Sequence, residues 1–147
     1  PVRASAALPL FSHTFYLNNT PYLDGGIACP IPIFESIRDQ NEKHIIVLTK
    51  MPDFVRQPSA NLPLIRRVYR NYPHFVNVEE NRCMIDRRQR KTCALLAKTG
   101  QAFVLQPKVD IHISLMRADE KSLRALYAAG YEDAKAAFPQ LLEFLQK

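Results

Sequence analysis

Tyr22-Leu23-Asp24-Gly25-Gly26-Ile27-Ala28-Cys29-Pro30-Ile31-Pro32 joins an extended run to a proline-punctuated helix start. Glycine lets the backbone take φ > 0 and approach a neighbour without a Cβ in the way. Asp is a common turn former, so on its own residues the corner reads as a turn. Downstream, Pro30-Ile31-Pro32 opens a helix over about 33–40, because Pro is tolerated in a first turn but not inside a helix. Ile33, Phe34 and Ile37 give that helix one apolar face. Ile45-Ile46-Val47-Leu48-Thr49 is a continuous, β-branched run of the kind that suits a strand buried on both faces. Strand, helix and buried strand in that order predict a βαβ unit, hence an α/β fold with a parallel sheet covered by helices.

Upstream, Arg3 to Phe11 reads as a short helix closed by Pro9, followed by an apolar loop. Phe15-Tyr16-Leu17 and Tyr22-Leu23 are strand-prone runs, and Asn18-Asn19-Thr20-Pro21 between them has the composition of a hairpin turn. Residues 51–62 form a loop, and helices are expected over Pro63 to Tyr72 and Pro73 to Lys98. The second of these is strongly basic, and its apolar positions follow a helical period only loosely. Gly100 is placed to cap its C-terminus. Ala102-Phe103-Val104-Leu105 reads as a further strand, ended by Pro107. Asp119 is the N-cap of a final helix reaching about Leu145 with one apolar stripe, which Gly130 and Pro139 are expected to kink or divide.

A length of 147 residues suits one domain or one large piece of a domain, and 47% hydrophobic with 23% charged residues is an ordinary globular balance. No run approaches the ~20 apolar residues of a membrane span, and no signal peptide is legible. The chain opens on Pro1-Val2-Arg3 rather than Met, which reads as mid-chain and predicts a fragment. Cys29, Cys83 and Cys93 are odd in number with no CxxC spacing, so reduced thiols in the cytosol are expected. The Asn18-Asn19-Thr20 sequon is then a turn and not a glycan site. A net charge of +6 favours anionic partners in general.

Few patterns carry chemistry. His13, His44, His74 and His112 are scattered, with no HExxH and no Cys/His cluster, so neither a metal nor a cofactor is expected. There is no phosphate-binding glycine loop. A Cys–His nucleophile pair stays open, with nothing local in its favour. Ser5, Ser12, Ser36, Ser59, Ser114 and Ser122 all lie outside any G-x-S-x-G elbow. Arg66, Arg67 and Arg70 with Arg82 to Lys91 read as a solvated helical face or as an adhesive for anionic membrane surfaces. No nucleic-acid partner is expected, because no aromatic residues interleave the basic run.

One family does match these residues. Arg3-Ala4-Ser5-Ala6-Ala7-Leu8-Pro9-Leu10-Phe11, a hairpin, and then Tyr22-Leu23-Asp24-Gly25-Gly26 resembles the patatin-like phospholipases, in which an A-S-x-A-x-P segment precedes D-G-[GA] by a similar interval. Arg66-Arg67-Val68-Tyr69-Arg70-Asn71-Tyr72-Pro73 and Leu126-Tyr127-Ala128-Ala129-Gly130-Tyr131-Glu132-Asp133-Ala134 are similar to one bacterial branch. The resemblance implies a three-layer α/β/α fold and a serine hydrolase with a Ser–Asp dyad acting on acyl esters of lipids. Its aspartate falls on Asp24. Its G-x-S-x-G serine and glycine-rich oxyanion loop are not in these residues, so the chain resembles the C-terminal half of the catalytic domain. The N-terminal half is then its partner, beside a lipid substrate and an anionic membrane surface. Half a sheet is expected to leave an unpaired edge and an apolar face, and the fragment alone to be inactive. The location implied is cytoplasmic, at most peripheral to the inner face of the membrane. The alternative is a catalytically incomplete membrane-surface or lipid-binding protein with basic helices.

Overall fold

The computed structural model describes residues 2–109 and 119–146. In chain order the elements are α1 (Val2–Ser5), β1 (Phe15–Leu17), β2 (Thr20–Tyr22), α2 (Gly25–Ala28), α3 (Ile33–Arg38), β3 (His44–Val47), α4 (Leu62–Val68), α5 (Pro73–Lys98), β4 (Ala102–Leu105) and α6 (Glu120–Gln146). The described residues fall within two compact units. One lies within Pro1–Glu35 and Val55–Lys91, the other within Ser36–Phe54 and Thr92–Lys147. The chain is a mixed helix–strand protein with one small parallel strand pair.

In the first unit α1 stops at Ser5, well before Pro9, and the chain closes a turn with Ala7 N–H donating to Ala4 C=O at 3.2 Å. β1 and β2 form an antiparallel hairpin with Leu17 opposite Thr20. Its turn is two residues, Asn18 and Asn19, both left-handed at φ 50° and 61°, rather than the four read from composition. That is the turn whose twist matches paired strands, and Asn tolerates it better than other non-glycine residues. Ala4, Ala7, Ile27, Ile31, Ile33, Ile65 and Tyr69 are buried. α3 ends at Arg38, two residues short of expectation, and Gln40 then turns left-handed at φ 61°. Only Ile33 of its apolar positions is buried, while Ile37 is exposed.

α5 spans the residues expected of it, yet its buried stripe is polar. Glu79, Asp86 and Gln89 are 6%, 2% and 3% exposed, and Cys93 continues the same helical spacing. Burying a polar group without a partner costs about 1–3 kcal/mol, so these residues need partners. Asp86 Oδ1 accepts from Arg56 Nε at 3.1 Å and its Oδ2 from Arg90 Nε at 2.9 Å.

In the second unit β3 pairs with β4 in parallel, His44 opposite Ala102 and Val47 opposite Leu105. The βαβ reading needs correcting here. The strand before α3 pairs only within its hairpin, and the parallel partner of β3 is the strand that follows α5. Nor is β3 buried on both faces. His44 and Ile46 are inside, whereas Ile45 and Val47 are exposed. α6 packs on β4, with the Phe103 and Phe144 rings 6.0 Å apart. It runs unbroken through Gly130 and Pro139, so the expected division into two helices is not seen, and none of its residues is buried.

Gly100 does cap α5. At φ 75° it lets Gln101 N–H reach Leu96 C=O at 2.8 Å and its own N–H reach Ala97 C=O at 3.2 Å, the paired bonds of a Schellman ending. No heavy atom stands within 4 Å of where a Cβ would sit. Gly100→Ala therefore meets only the left-handed backbone penalty and should lower stability by about 1–2 kcal/mol. A lower urea midpoint at unchanged slope is the readout.

Asp119 caps α6, its Oδ1 accepting from Ser122 N–H at 2.8 Å and its Oδ2 from the Ser122 hydroxyl at 2.9 Å. The bond from the Ser122 backbone, followed by that from its hydroxyl, holds the carboxyl below its ordinary 3.8. A depressed folded-state pKa contributes stability above the unfolded value and loses it as pH falls through the folded one. The urea-midpoint gap between wild type and Asp119→Ala should thus be full at neutral pH and shrink below about pH 4. A gap constant down to about pH 2 would count against the cap.

Candidate functional site

Asp24 ends the hairpin and begins α2. Its backbone is extended at φ −53°, ψ 124°, and its Oδ1 accepts Gly26 N–H at 2.7 Å. Asp is a favoured residue at this position because its carboxylate takes up an otherwise orphaned amide of the first turn. Neither Gly25 nor Gly26 has positive φ, which corrects the expectation of a left-handed corner. Gly26 answers a need for space instead, since a Cβ there would stand 3.0 Å from Asp24 Oδ1. Oδ2 of the half-buried Asp24 carries no bond to a described residue.

Asp24 N–H donates to Ala7 C=O at 2.9 Å. That bond brings the Ala4–Leu8 segment against the Asp-Gly-Gly corner, with Ala4 and Ala7 buried and small enough to allow the approach. Ser5 is exposed, and its Oγ lies 3.9 Å from where a Cβ on Gly25 would sit. No hydrogen bond joins Ser5 to Asp24. A pocket of about 100 Å³, lined by Thr14, Pro21, Leu23, Tyr69, Tyr72 and Phe75, adjoins the residue before Asp24.

α5 reaches the same corner. Arg82 Nη2 donates to Gly26 C=O at 3.4 Å, and Glu79 stands 3.5 Å from the other arm of that guanidinium. Gln89 accepts Ile31 N–H at 3.1 Å and donates to Cys29 Sγ at 3.4 Å. The Cys29 thiol donates to Glu35 Oε2 at 3.4 Å; burial first, then this bond and the Glu35 charge, push its pKa up. A thiol held protonated is a poor nucleophile. Sequence reading passed over Glu79 and Gln89, and took Arg82 only as part of the basic cluster. The available signal was their 3-and-4 spacing, continued by Asp86 and Cys93, in a helix whose apolar residues keep no clear stripe.

Other candidates dissolve into packing. In the second unit Ser36 Oγ and His44 Nδ1 are 2.9 Å apart, and Asn41 Nδ2 donates to the same hydroxyl at 3.2 Å. This pair ties α3 to β3, and its hydroxyl is engaged on both sides. Part of the basic run is engaged within the protein: Arg66 pairs with Glu80, Arg82 with Glu79 and Arg90 with Asp86, while Arg88 lies over the Phe34 ring, and of these Arg82 and Arg90 are part-buried. Arg66, Arg67, Arg70, Arg87, Arg88 and Lys91 are exposed. Among the described residues no three His, Cys, Asp or Glu side chains are grouped to hold a metal ion. His112 and Ser114 lie outside the described residues. No described helix is long and apolar enough to cross a membrane.

No curated protein and no solved structure matches the chain. A family model does, over residues 72–146, which takes in α5, β4 and α6 and leaves Asp24 upstream. That stretch is just over half of the chain, and the chain belongs to this family, described as a domain of unknown function, DUF6363.

Proposed function

We propose that Asp24 is the general base of a Ser–Asp dyad in a patatin-like acyl-ester hydrolase acting on lipids. The serine and oxyanion donors come from chain outside these 147 residues. The β3–β4 pair belongs to the central sheet of a three-layer α/β/α domain, of which this chain is the C-terminal portion. The enzyme works in the cytoplasm, at most peripheral to the membrane.

One observation carries this reading: the Asp24 N–H to Ala7 C=O bond joins the two motifs on which the family resemblance rests. In the same corner, one carboxylate oxygen is spent on Gly26 and the other carries no bond to a described residue. A serine hydroxyl is a poor nucleophile until a base takes its proton, and a fixed carboxylate does that without a histidine. The cap fixes Asp24 while leaving Oδ2 to meet such a hydroxyl. The test is Asp24→Asn in the full-length protein, assayed on acyl esters.

A further inference from the structure

We propose that Arg82 and Gln89 of α5 are positioning residues for Asp24, acting through the backbone of α2; the inference rests on the dyad role of Asp24. Gly26 is gripped from both ends. Its N–H goes to Asp24 Oδ1 at 2.7 Å and its C=O receives Arg82 Nη2 at 3.4 Å. The guanidinium therefore bears on the same residue that orients the carboxylate. Seven positions along α5, Gln89 grips the far end of the segment, using its amide oxygen on Ile31 N–H and its amide nitrogen on Cys29 Sγ.

A four-residue helix has little stability of its own, because nucleating a turn fixes more torsions than its hydrogen bonds repay. α2 spans only Gly25–Ala28 and holds two glycines, the most freely moving residues. Its direction, and with it that of Asp24 Oδ2, must come from outside. Apolar contact through Ile27 can bury α2 but does not fix its rotation; directed bonds to Gly26 C=O and Ile31 N–H do.

The makeup of the α5 stripe points the same way. A helix needed only for packing would bury apolar residues, whereas this one buries Glu79 and Gln89 toward the segment. Among the described residues Glu79 Oε2 and Arg82 Nε are buried without a hydrogen-bond partner. Unsatisfied buried groups of this kind ask for a reason other than packing. Glu79 holds Arg82 at 3.5 Å, and Arg82 holds Gly26.

The test uses the full-length protein with p-nitrophenyl butyrate. Arg82→Leu should lower kcat at least tenfold with KM changed less than threefold, and should speed backbone hydrogen exchange across residues 24–31. Arg82→Lys, which keeps a cationic N–H donor, should recover most of kcat. A purely structural role predicts faster exchange with no kcat-against-KM split and no rescue by lysine, and that result overturns the proposal. Should Arg82→Leu fail to fold, Gln89→Glu decides. It keeps the acceptor for Ile31 N–H but replaces the donor to Cys29 Sγ with a second carboxylate beside Glu35, which disfavours the thiolate, so peptide-resolved alkylation of Cys29 by iodoacetamide should slow several-fold while kcat falls. Unchanged alkylation and kcat overturn the proposal. Wild-type kcat in Arg82→Leu beside an inactive Asp24→Asn overturns positioning and leaves the dyad standing. Turnover by Asp24→Asn overturns both.

Discussion

Asp24→Asn in the full-length protein is expected to keep the fold and lose ester hydrolysis by about 10²–10⁴-fold, the usual weight of general-base help. Asparagine can still accept Gly26 N–H, now made at 2.7 Å, and Asn and Asp are near-equal caps. Stability should therefore change by no more than a few tenths of a kcal/mol. The amide cannot take a proton from a serine hydroxyl, so roughly 3–5 kcal/mol of barrier returns. Initial rates on acyl esters, read beside a urea midpoint, separate the two effects. Asp24→Ala makes the contrast, because it removes cap and base together and should lower the midpoint as well. Near-normal turnover in Asp24→Asn would sink the dyad assignment.

The largest stability loss is expected at Asp86, which sits on the α5 stripe between Arg82 and Gln89. Its side chain is 2% exposed and bridges Arg56 at 3.1 Å and Arg90 at 2.9 Å. Asp86→Ala removes the buried carboxylate that two part-buried guanidiniums share. Breaking a buried ion pair by removing one partner costs about 3–5 kcal/mol. Both arginines keep some contact with water, so the lower end, about 3 kcal/mol, is expected. Against a typical total of about 5–15 kcal/mol this is a large share. Replacing all three residues with Met, Leu and Met should recover most of the loss, because a well-packed apolar trio of similar volume avoids the desolvation cost that the charges carry. Urea unfolding of the two variants decides it: a midpoint unmoved by Asp86→Ala would mean the triad is already solvated. The same geometry bears on the membrane-surface alternative. Charge reversal at Arg90 would break its pair with Asp86 and confound stability with adhesion, so exposed residues such as Arg87 and Lys91 are the ones to reverse.

Legibility followed the range of the interaction. α5 begins at Pro73 and ends one residue before the Thr99-Gly100 cap, because a proline at the first turn and a glycine past the last act within a few residues. β4 and the Asp119 cap were readable for the same reason. The partner of β3 was not. Strand pairing is chosen by burial across the whole chain, and the nearest extended run in sequence had already closed on itself through Asn18-Asn19. Continuity of α6 through Pro139 shows the opposite case for the expected division into two helices, a local breaker outweighed by good helix formers around it.

The candidate site divides along the same line. Asp24 and its two glycines were visible as an unusual corner, and the Ala4–Phe11 segment as its companion, because both are short local patterns. That Asp24 caps a helix, that Gly26 provides room for its carboxylate, and that Ala7 lies beside it required three dimensions. The same holds for α5. Its residue spacing was on the page, but an amphipathic search weighs apolar residues and passes over a stripe of Glu79, Arg82, Asp86 and Gln89. By itself the sequence determined α5 with its Gly100 cap, α6 with its Asp119 cap and the acid at the corner, since backbone propensity and capping act between near neighbours. Tertiary structure decided which strand β3 pairs with and what holds Gly26 and Ile31 in place. Those contacts join residues more than fifty positions apart, and a partner that distant is selected by the burial and hydrogen bonding of the folded chain.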